Sequence, residues 1–398
     1  MNHTLKALIL VSIFGVIAVF AGLKGHYVVF ICTILVFISV VMTYLWYRLV
    51  FSNVLFERKL SHEEVEYGTS VSMILSISNN KMLPLFGLRI EYDVSAGLEL
   101  DDPSKLIKIK DGVCNKFRDY YNLSGYEKRT KTFELKPVQR GRFELAAGTV
   151  YYADPFGLFF KEQKEAFPPA NLIVFPAILP MKGFHSLHTY LFGTAPVDEC
   201  SLDTTLPFDL QGHGKSQNYI NELAGQRTID LILEQPVGAK WWTSQVANNQ
   251  EIAIMILASL IHYYSSTGYA VKLHTNLASK AQKQLDTPRR GVQRRDQTKH
   301  FLHTLALMQN FSTNSLSLVL GREQRNIVSG SPIIIVTTAH GELSESFTEL
   351  VCNLMARSRV AVIRVLSDVV HTPWASDLKE WRVNGENSWR TLTRLELL

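Results

Sequence analysis

The chain lacks paired cysteines. Its four, Cys32, Cys114, Cys200 and Cys352, lie far apart and none stands in CxxC spacing, which excludes a disulfide framework or a zinc knuckle as the organising element. Free thiols suit a reducing compartment. Charge is scarce as well: 19% of the 398 residues are Asp, Glu, Lys or Arg, and the net charge of +5 gives no argument for nucleic-acid binding. A phosphate-binding loop is missing too. Gly214-Lys215-Ser216 has the ending of one, but Asp209 stands where the leading glycine is needed, and a carboxylate there would repel phosphate. Cys200 has His213 nearby in sequence but no third orienting group, so no activated nucleophile is indicated. His185 and His188 read as ordinary loop or strand residues.

What is present begins with apolar length. Leu5–Leu23 carries one charge, at its start, and Tyr27–Trp46 carries none; each is about the 20 residues that span hydrocarbon. Lys24-Gly25-His26 leaves room only for a tight hairpin between them. Tyr44, Trp46 and Tyr47 stand where an aromatic belt would meet the interface. A cleaved signal peptide is the competing reading of the first stretch, but a second follows at once without a small-residue cleavage pattern. Lys6, Arg48, Arg58 and Lys59 flank the outer ends against a lone Lys24 in the loop. By the positive-inside rule the soluble part is expected in the cytoplasm, on a multi-pass protein of the plasma membrane.

Residues 51–180 read as strands. Apolar residues alternate in Val71–Ser78, with one slip at Ile74, and without a break in Leu88–Val94; further strands are expected at Thr130–Leu135, Gly141–Leu145 and Thr149–Tyr152. Short strands at this spacing predict an antiparallel β-sandwich. Lys105, Lys108 and Lys110 read as a solvated face or loop. Residues 181–227 read as a linker. Within 228–372, TIDLIL, the apolar run Glu251–Tyr264, YAVKLHT, PIIIVTT, Glu342–Ser358 and VAVIRVL alternate strand with helix, which predicts βαβ units on a parallel sheet. Residues 373–398 read as a C-terminal extension. Residues 278–300 form a basic insertion containing Arg289, Arg290, Arg294 and Arg295, either a solvated loop or a partner-facing patch.

The words RGRFELAAGTVYYADPFGLF, from Arg140 to Phe159, and then LIVFPAI, from Leu172 to Ile178, resemble the domain of unknown function 58 family. The resemblance covers nearly the whole chain, most specifically in Arg140-Gly141 and Asp154-Pro155-Phe156-Gly157-Leu158; at the C-terminal end it rests on pattern. It implies a transmembrane helical hairpin, an all-β sandwich and then an α/β domain with a parallel sheet similar to von Willebrand factor A. It also implies, as partners, a MoxR-type AAA+ ATPase and a transglutaminase-like membrane protein.

The chain departs from the family pattern in two places. Of the Arg-Glu-Tyr, Gly-Asp, Arg-x-Ile-Asp-Trp block only fragments remain, and Arg227–Asp230 is either its remnant or, as we favour, the start of the first α/β strand. The A-type ion loop would place Asp-x-Ser-x-Ser at Glu234, Pro236 and Gly238. Proline and glycine have no side-chain oxygen, so Glu234 is left as a weak metal candidate and no metal or cofactor is expected. Thr337, Thr338, His340 and Glu342 stand at the end of PIIIVTT, where an open parallel sheet presents ligands, though helix capping explains them more simply. Trp241-Trp242 is an aromatic anchor for a partner or a lid on the sheet edge. The expected function is a non-enzymatic membrane-anchored scaffold of the bacterial envelope, with Trp241, Trp242, Thr338, His340 and the four arginines as partner-binding candidates. The alternative is a membrane-tethered metal-dependent hydrolase or transferase using Glu234, His340 and Glu342.

Overall fold

A computed structural model describes residues 3–109, 114–154, 159–193, 228–234, 244–275, 294–308, 327, 330–338, 345–366 and 378–398. They fall into two compact units, Met1–Val174 and Phe175–Leu398.

The first unit opens with helices α1 (His3–Leu23) and α2 (Tyr27–Leu49). They pack through small residues: Ala18 and Ala21 are buried, and a Cβ on Gly22 would come within 3.3 Å of the Phe30 ring. Small residues at such a contact let two backbones approach closely. Among the described residues only α2 is long and apolar enough to cross a membrane; the apolar stretch described in α1, Val11–Leu23, is too short.

Strands β1 (Val54–Leu60), β2 (Glu64–Glu66), β3 (Val71–Asn79), β4 (Leu85–Ser95), β5 (Leu98–Leu100), β6 (Leu106–Lys108), β7 (Cys114–Leu123), β8 (Lys128–Pro137), β9 (Gly141–Leu145), β10 (Gly148–Ala153), β11 (Phe160–Phe167) and β12 (Ala170–Phe175) follow. One sheet has the order β1-β3-β8-β5; the other has β11-β10-β4-β9-β12-β2, with β7 on the free edge of β4 and β6 on β7. Met73, Leu75 and Ile77 of β3 share a single core with Ile90 and Tyr92 of β4 and Phe117 of β7, so the two sheets face each other. The slip at Ile74 is real, since this side chain points to solvent while its alternate neighbours are buried. Arg58 fills a gap in this core. Its guanidinium lies 4.8 Å over the Tyr92 ring and donates to the carbonyls of Leu145 (2.9 Å), Ala146 (3.0 Å) and Pro168. This charge, counted above for membrane topology, is structural. Lys105 likewise leaves the solvated role expected for it, because it and Lys131 each reach the buried Asp119 at 2.7 Å.

The second unit contains β13 (Met181–Lys182), α3 (Phe184–Phe192), β14 (Thr228–Glu234), α4 (Ser244–Ser266), β15 (Ala270–Thr275), α5 (Arg294–Leu307), β16 (Ile333–Thr337), α6 (Glu345–Met355), β17 (Val360–Leu366), β18 (Lys379–Asn384) and β19 (Leu395–Glu396). The order β15-β14-β16-β17-β18 is parallel throughout, and β13 pairs in parallel with β19. Ile333, Ile335, Val360 and Val362 pack with Leu350, Val351 and Leu354 of α6. Helix α4 is buried on nearly every side from Ile252 to Ile261, in accord with its lack of a polar stripe.

The expected fold class is corrected. Among the described residues one helix, not a hairpin of two, meets the requirements of a span, and strand outweighs helix, which makes the described part mostly β. The von Willebrand factor A-like designation is withdrawn with it. Part of the strand excess lies in residues read beforehand as linker and extension: 181–182 form β13, and 379–384 and 395–396 form β18 and β19.

Candidate functional site at the carboxyl edge of the parallel sheet

A parallel sheet leaves the ends of its strands as the place where loops converge. At this edge β14 ends in Glu234 and β16 in Thr337, which are register partners with side chains on the same face. The Thr337 hydroxyl donates to Glu234 Oε2 at 2.7 Å. Burial pushes the Glu234 carboxyl above the usual glutamate range, and the Thr337 hydrogen bond opposes that shift. Thr338, on the opposite face, is buried and donates to Gln250 Oε1 at 3.4 Å. Gln250 belongs to the start of α4, next to Asn249 and Asn248. Asn248 Nδ2 donates to the carbonyls of Gly385 (2.8 Å) and Asn387 (3.0 Å), and its Oδ1 accepts from the Trp389 amide at 2.9 Å. The edge is therefore lined with amides and hydroxyls that bind one another.

Glu234 is the one carboxylate of the described edge. Among the described residues no group of three His, Cys, Asp or Glu side chains stands close enough to hold a metal ion. His340, Glu342, Trp241, Trp242, Arg289 and Arg290 lie outside the described residues, as do Cys200, His213 and the Gly214-Lys215-Ser216 segment. Arg294 and Arg295 begin α5, so this end of the basic insertion is helix and not loop.

Two polar clusters inside the second unit were not anticipated. Asp230 Oδ1 lies 2.9 Å from His274 Nε2, and Ser331 Oγ donates to Asp230 Oδ2 at 2.7 Å, all three residues being buried. The serine binds the carboxylate and not the imidazole, so this is not the order of a nucleophilic triad. Arg364, also buried, reaches Glu380 Oε1 at 3.2 Å, and Arg382 reaches the same oxygen at 3.2 Å. A charge or histidine inside an otherwise apolar strand, as in TIDLIL, YAVKLHT and VAVIRVL, is the signal that could have exposed both clusters, because a buried charge needs a partner.

Two residues of the segment Arg140 to Phe159 have structural roles. Gly141 takes φ 137°, a conformation that L side chains rarely adopt, as β9 begins. Asp154 is buried, and its Oδ1 accepts from the Phe159 amide at 2.5 Å; residues 155–158 lie outside the described set.

No family model matches the chain, and no curated protein matches it. Among solved structures, a non-cellulosomal cohesin from the archaeon Archaeoglobus fulgidus is similar over 31% of this chain and 91% of its own, at 12% identity and a TM-score of 0.21. A type II cohesin domain from the cellulosome of Acetivibrio cellulolyticus is similar over 30% and 95%, at 10% identity and TM-score 0.22. A CARDB domain from Pyrococcus furiosus, solved with di-metal ions, is similar over 30% and 91%, at 10% identity and TM-score 0.19. At these scores the likenesses carry no assignment of function.

Proposed function

We propose that the chain is a non-enzymatic, membrane-anchored binding protein that presents its second unit to a protein partner on the cytoplasmic side of the bacterial envelope. The observation that carries this reading is α2. Tyr27, Val28, Leu35, Ile38, Met42 and Leu49 are all exposed on it, an apolar surface that water would not tolerate on a helix of this length. The hydrogen bonding of Glu234, Thr338 and Gln250 within the carboxyl edge supports binding by surface over chemistry at that edge. The family resemblance suggests the partner class, a MoxR-type AAA+ ATPase, and Arg48 in the last turn of α2 with Lys59 beyond it favour the cytoplasmic side.

The full chain in nanodiscs, incubated with native membrane extract, tests the proposal. Enrichment of a AAA+ ATPase, with no substrate turned over by the chain alone, is the expected result. Hydrolysis by the purified chain that is lost in Glu234→Gln would replace the scaffold with the metal-dependent alternative.

A further inference from the structure

Where α2 ends, the sandwich grips it. Trp46 Nε1 donates to the Pro84 carbonyl at 3.2 Å, and the Phe159 ring lies 5.8 Å from Tyr44 and 5.6 Å from Tyr47. Two lysines then supply donors to the carbonyls at and just beyond the last turn. Lys161 Nζ donates to Arg48 O at 3.0 Å, and Lys81 Nζ donates to Val50 O at 2.8 Å and Ser52 O at 2.9 Å. A cation at a helix C-terminus satisfies carbonyls that have no partner in the helix and complements its dipole. The end of α2 is thus fixed to one end of the sandwich.

That end is also where exposed apolar side chains gather. The described sandwich exposes eight large hydrophobic side chains: Leu55, Ile74, Met82, Phe86, Ile107, Tyr120, Tyr126 and Phe160. Five of them belong to the gripping end. Leu55 is the second residue of β1, the first strand after α2; Met82 follows Lys81; Phe86 is two residues past Pro84; Phe160 stands between Phe159 and Lys161; and the Tyr126 amide donates to the Lys81 carbonyl at 3.0 Å. These five are between 51% and 81% exposed. The antiparallel order explains the gathering, since β3, β7 and β10 end, and β4, β8 and β11 begin, at the same end as the entry from α2.

We propose that this end of the sandwich is seated in the interfacial layer of the lipid bilayer, with Met82, Phe86, Tyr126 and Phe160 among the headgroups; the proposal rests on the reading of α2 as a membrane span. Lengths agree with it. The 23 residues of α2 rise about 34 Å, a few ångströms more than the roughly 30 Å hydrocarbon core, which leaves the last turn in the interface. Residues that touch the last turn lie at the same depth. Aromatic side chains favour that layer, and removing these apolar surfaces from water is favourable. The sandwich is then held at fixed depth and tilt, and does not swing on a tether.

Photo-crosslinking of the full chain in vesicles of phosphatidylethanolamine and phosphatidylglycerol tests this. The photoreactive residue p-benzoylphenylalanine is placed at Phe86, Tyr126 or Phe160, at Tyr120 as an exposed aromatic in mid-strand, and at Leu35 within α2. The expected result is phospholipid adducts, read by mass spectrometry, from the first three positions and from Leu35, with none from Tyr120. Adducts from Leu35 without any from Phe86, Tyr126 and Phe160 would overturn the seating and leave the anchor standing. No adduct from Leu35 would overturn both.

Discussion

His274 Nε2 lies 2.9 Å from Asp230 Oδ1 between two neighbouring strands from which water is excluded. The pair holds β14 to β15 across one face of the sheet, and Ser331 ties the same carboxylate to the start of β16. Removing one partner of such a pair leaves an uncompensated polar group, at a cost of about 3–5 kcal/mol. Asp230→Leu is therefore expected to lower the denaturation midpoint of the second unit strongly, and adding His274→Leu is expected to recover part of the loss. A double-mutant cycle by chemical denaturation in detergent checks this, and additive single effects would contradict it.

Glu234 predicts a dependence on pH. Its carboxyl is pushed up by burial, with Thr337 opposing. A group whose folded pKa is raised contributes stability below its unfolded pKa, and that contribution is lost as pH rises through the folded value. Thermal midpoints of the second unit should thus fall across the window above the ordinary glutamate range, and Glu234→Gln should flatten the fall. If the variant is instead less stable at neutral pH, and magnesium protects only the native chain, the carboxylate is holding a cation.

Arg58 is expected to be intolerant even of lysine. Its Nη2 donates to all three carbonyls and its plane covers Tyr92; a lysine ammonium is a compact, strongly hydrated charge with no plane to lay over the ring. Arg58→Ala should cost more than about 3 kcal/mol in the sandwich, because several buried acceptors lose their donor at once. Arg58→Lys should recover only a minor share, as measured by thermal unfolding followed in the near-ultraviolet.

Lys81 should ionise far below other lysines. Burial, with a further push from Lys161, brings its pKa down to about 8. The folded state then binds fewer protons than the unfolded one between about pH 8 and the ordinary lysine range, so this group makes the first unit more stable as pH rises through that window. Carbon-13 titration of dimethylated lysines should show one midpoint near the lowered value, absent in Lys81→Met. A full set of ordinary midpoints would contradict the grip described at the end of α2.

Much of the sandwich was legible because one-sided burial writes itself as alternation: Leu88–Val94 and Gly141–Leu145 lie within β4 and β9 as expected. The basic run 278–300 was misleading at its end. Phe301, Leu302 and Leu305 are buried on α5, and the charges before them hid where that helix begins. Of the two expected spans, Tyr27–Trp46 lies within α2, the one helix among the described residues that is long and apolar enough to cross a membrane. At the carboxyl edge Glu234 was legible, but Thr338 was read as partner-facing and lies buried. Its exposure depends on α4, whose asparagines and Gln250 come from far along the chain, and no local pattern reports such a meeting. Asp230 and His274 escaped notice for the same reason, being 44 residues apart.

The pairing of β13 with β19 has a mechanical meaning. Leu395 and Leu397 donate to the carbonyls of Pro180 and Lys182 at 2.9 Å each, and Leu398 and Arg382 exchange backbone bonds. Because β13 and β19 run parallel near the two ends of the second unit, a pull between those ends loads their hydrogen bonds in shear, where all must give together, and not one after another as in unzipping. A partner that tugs on the last residues of this unit therefore meets its stiffest connection first, and the force passes to the chain that precedes β13 before the parallel sheet begins to open.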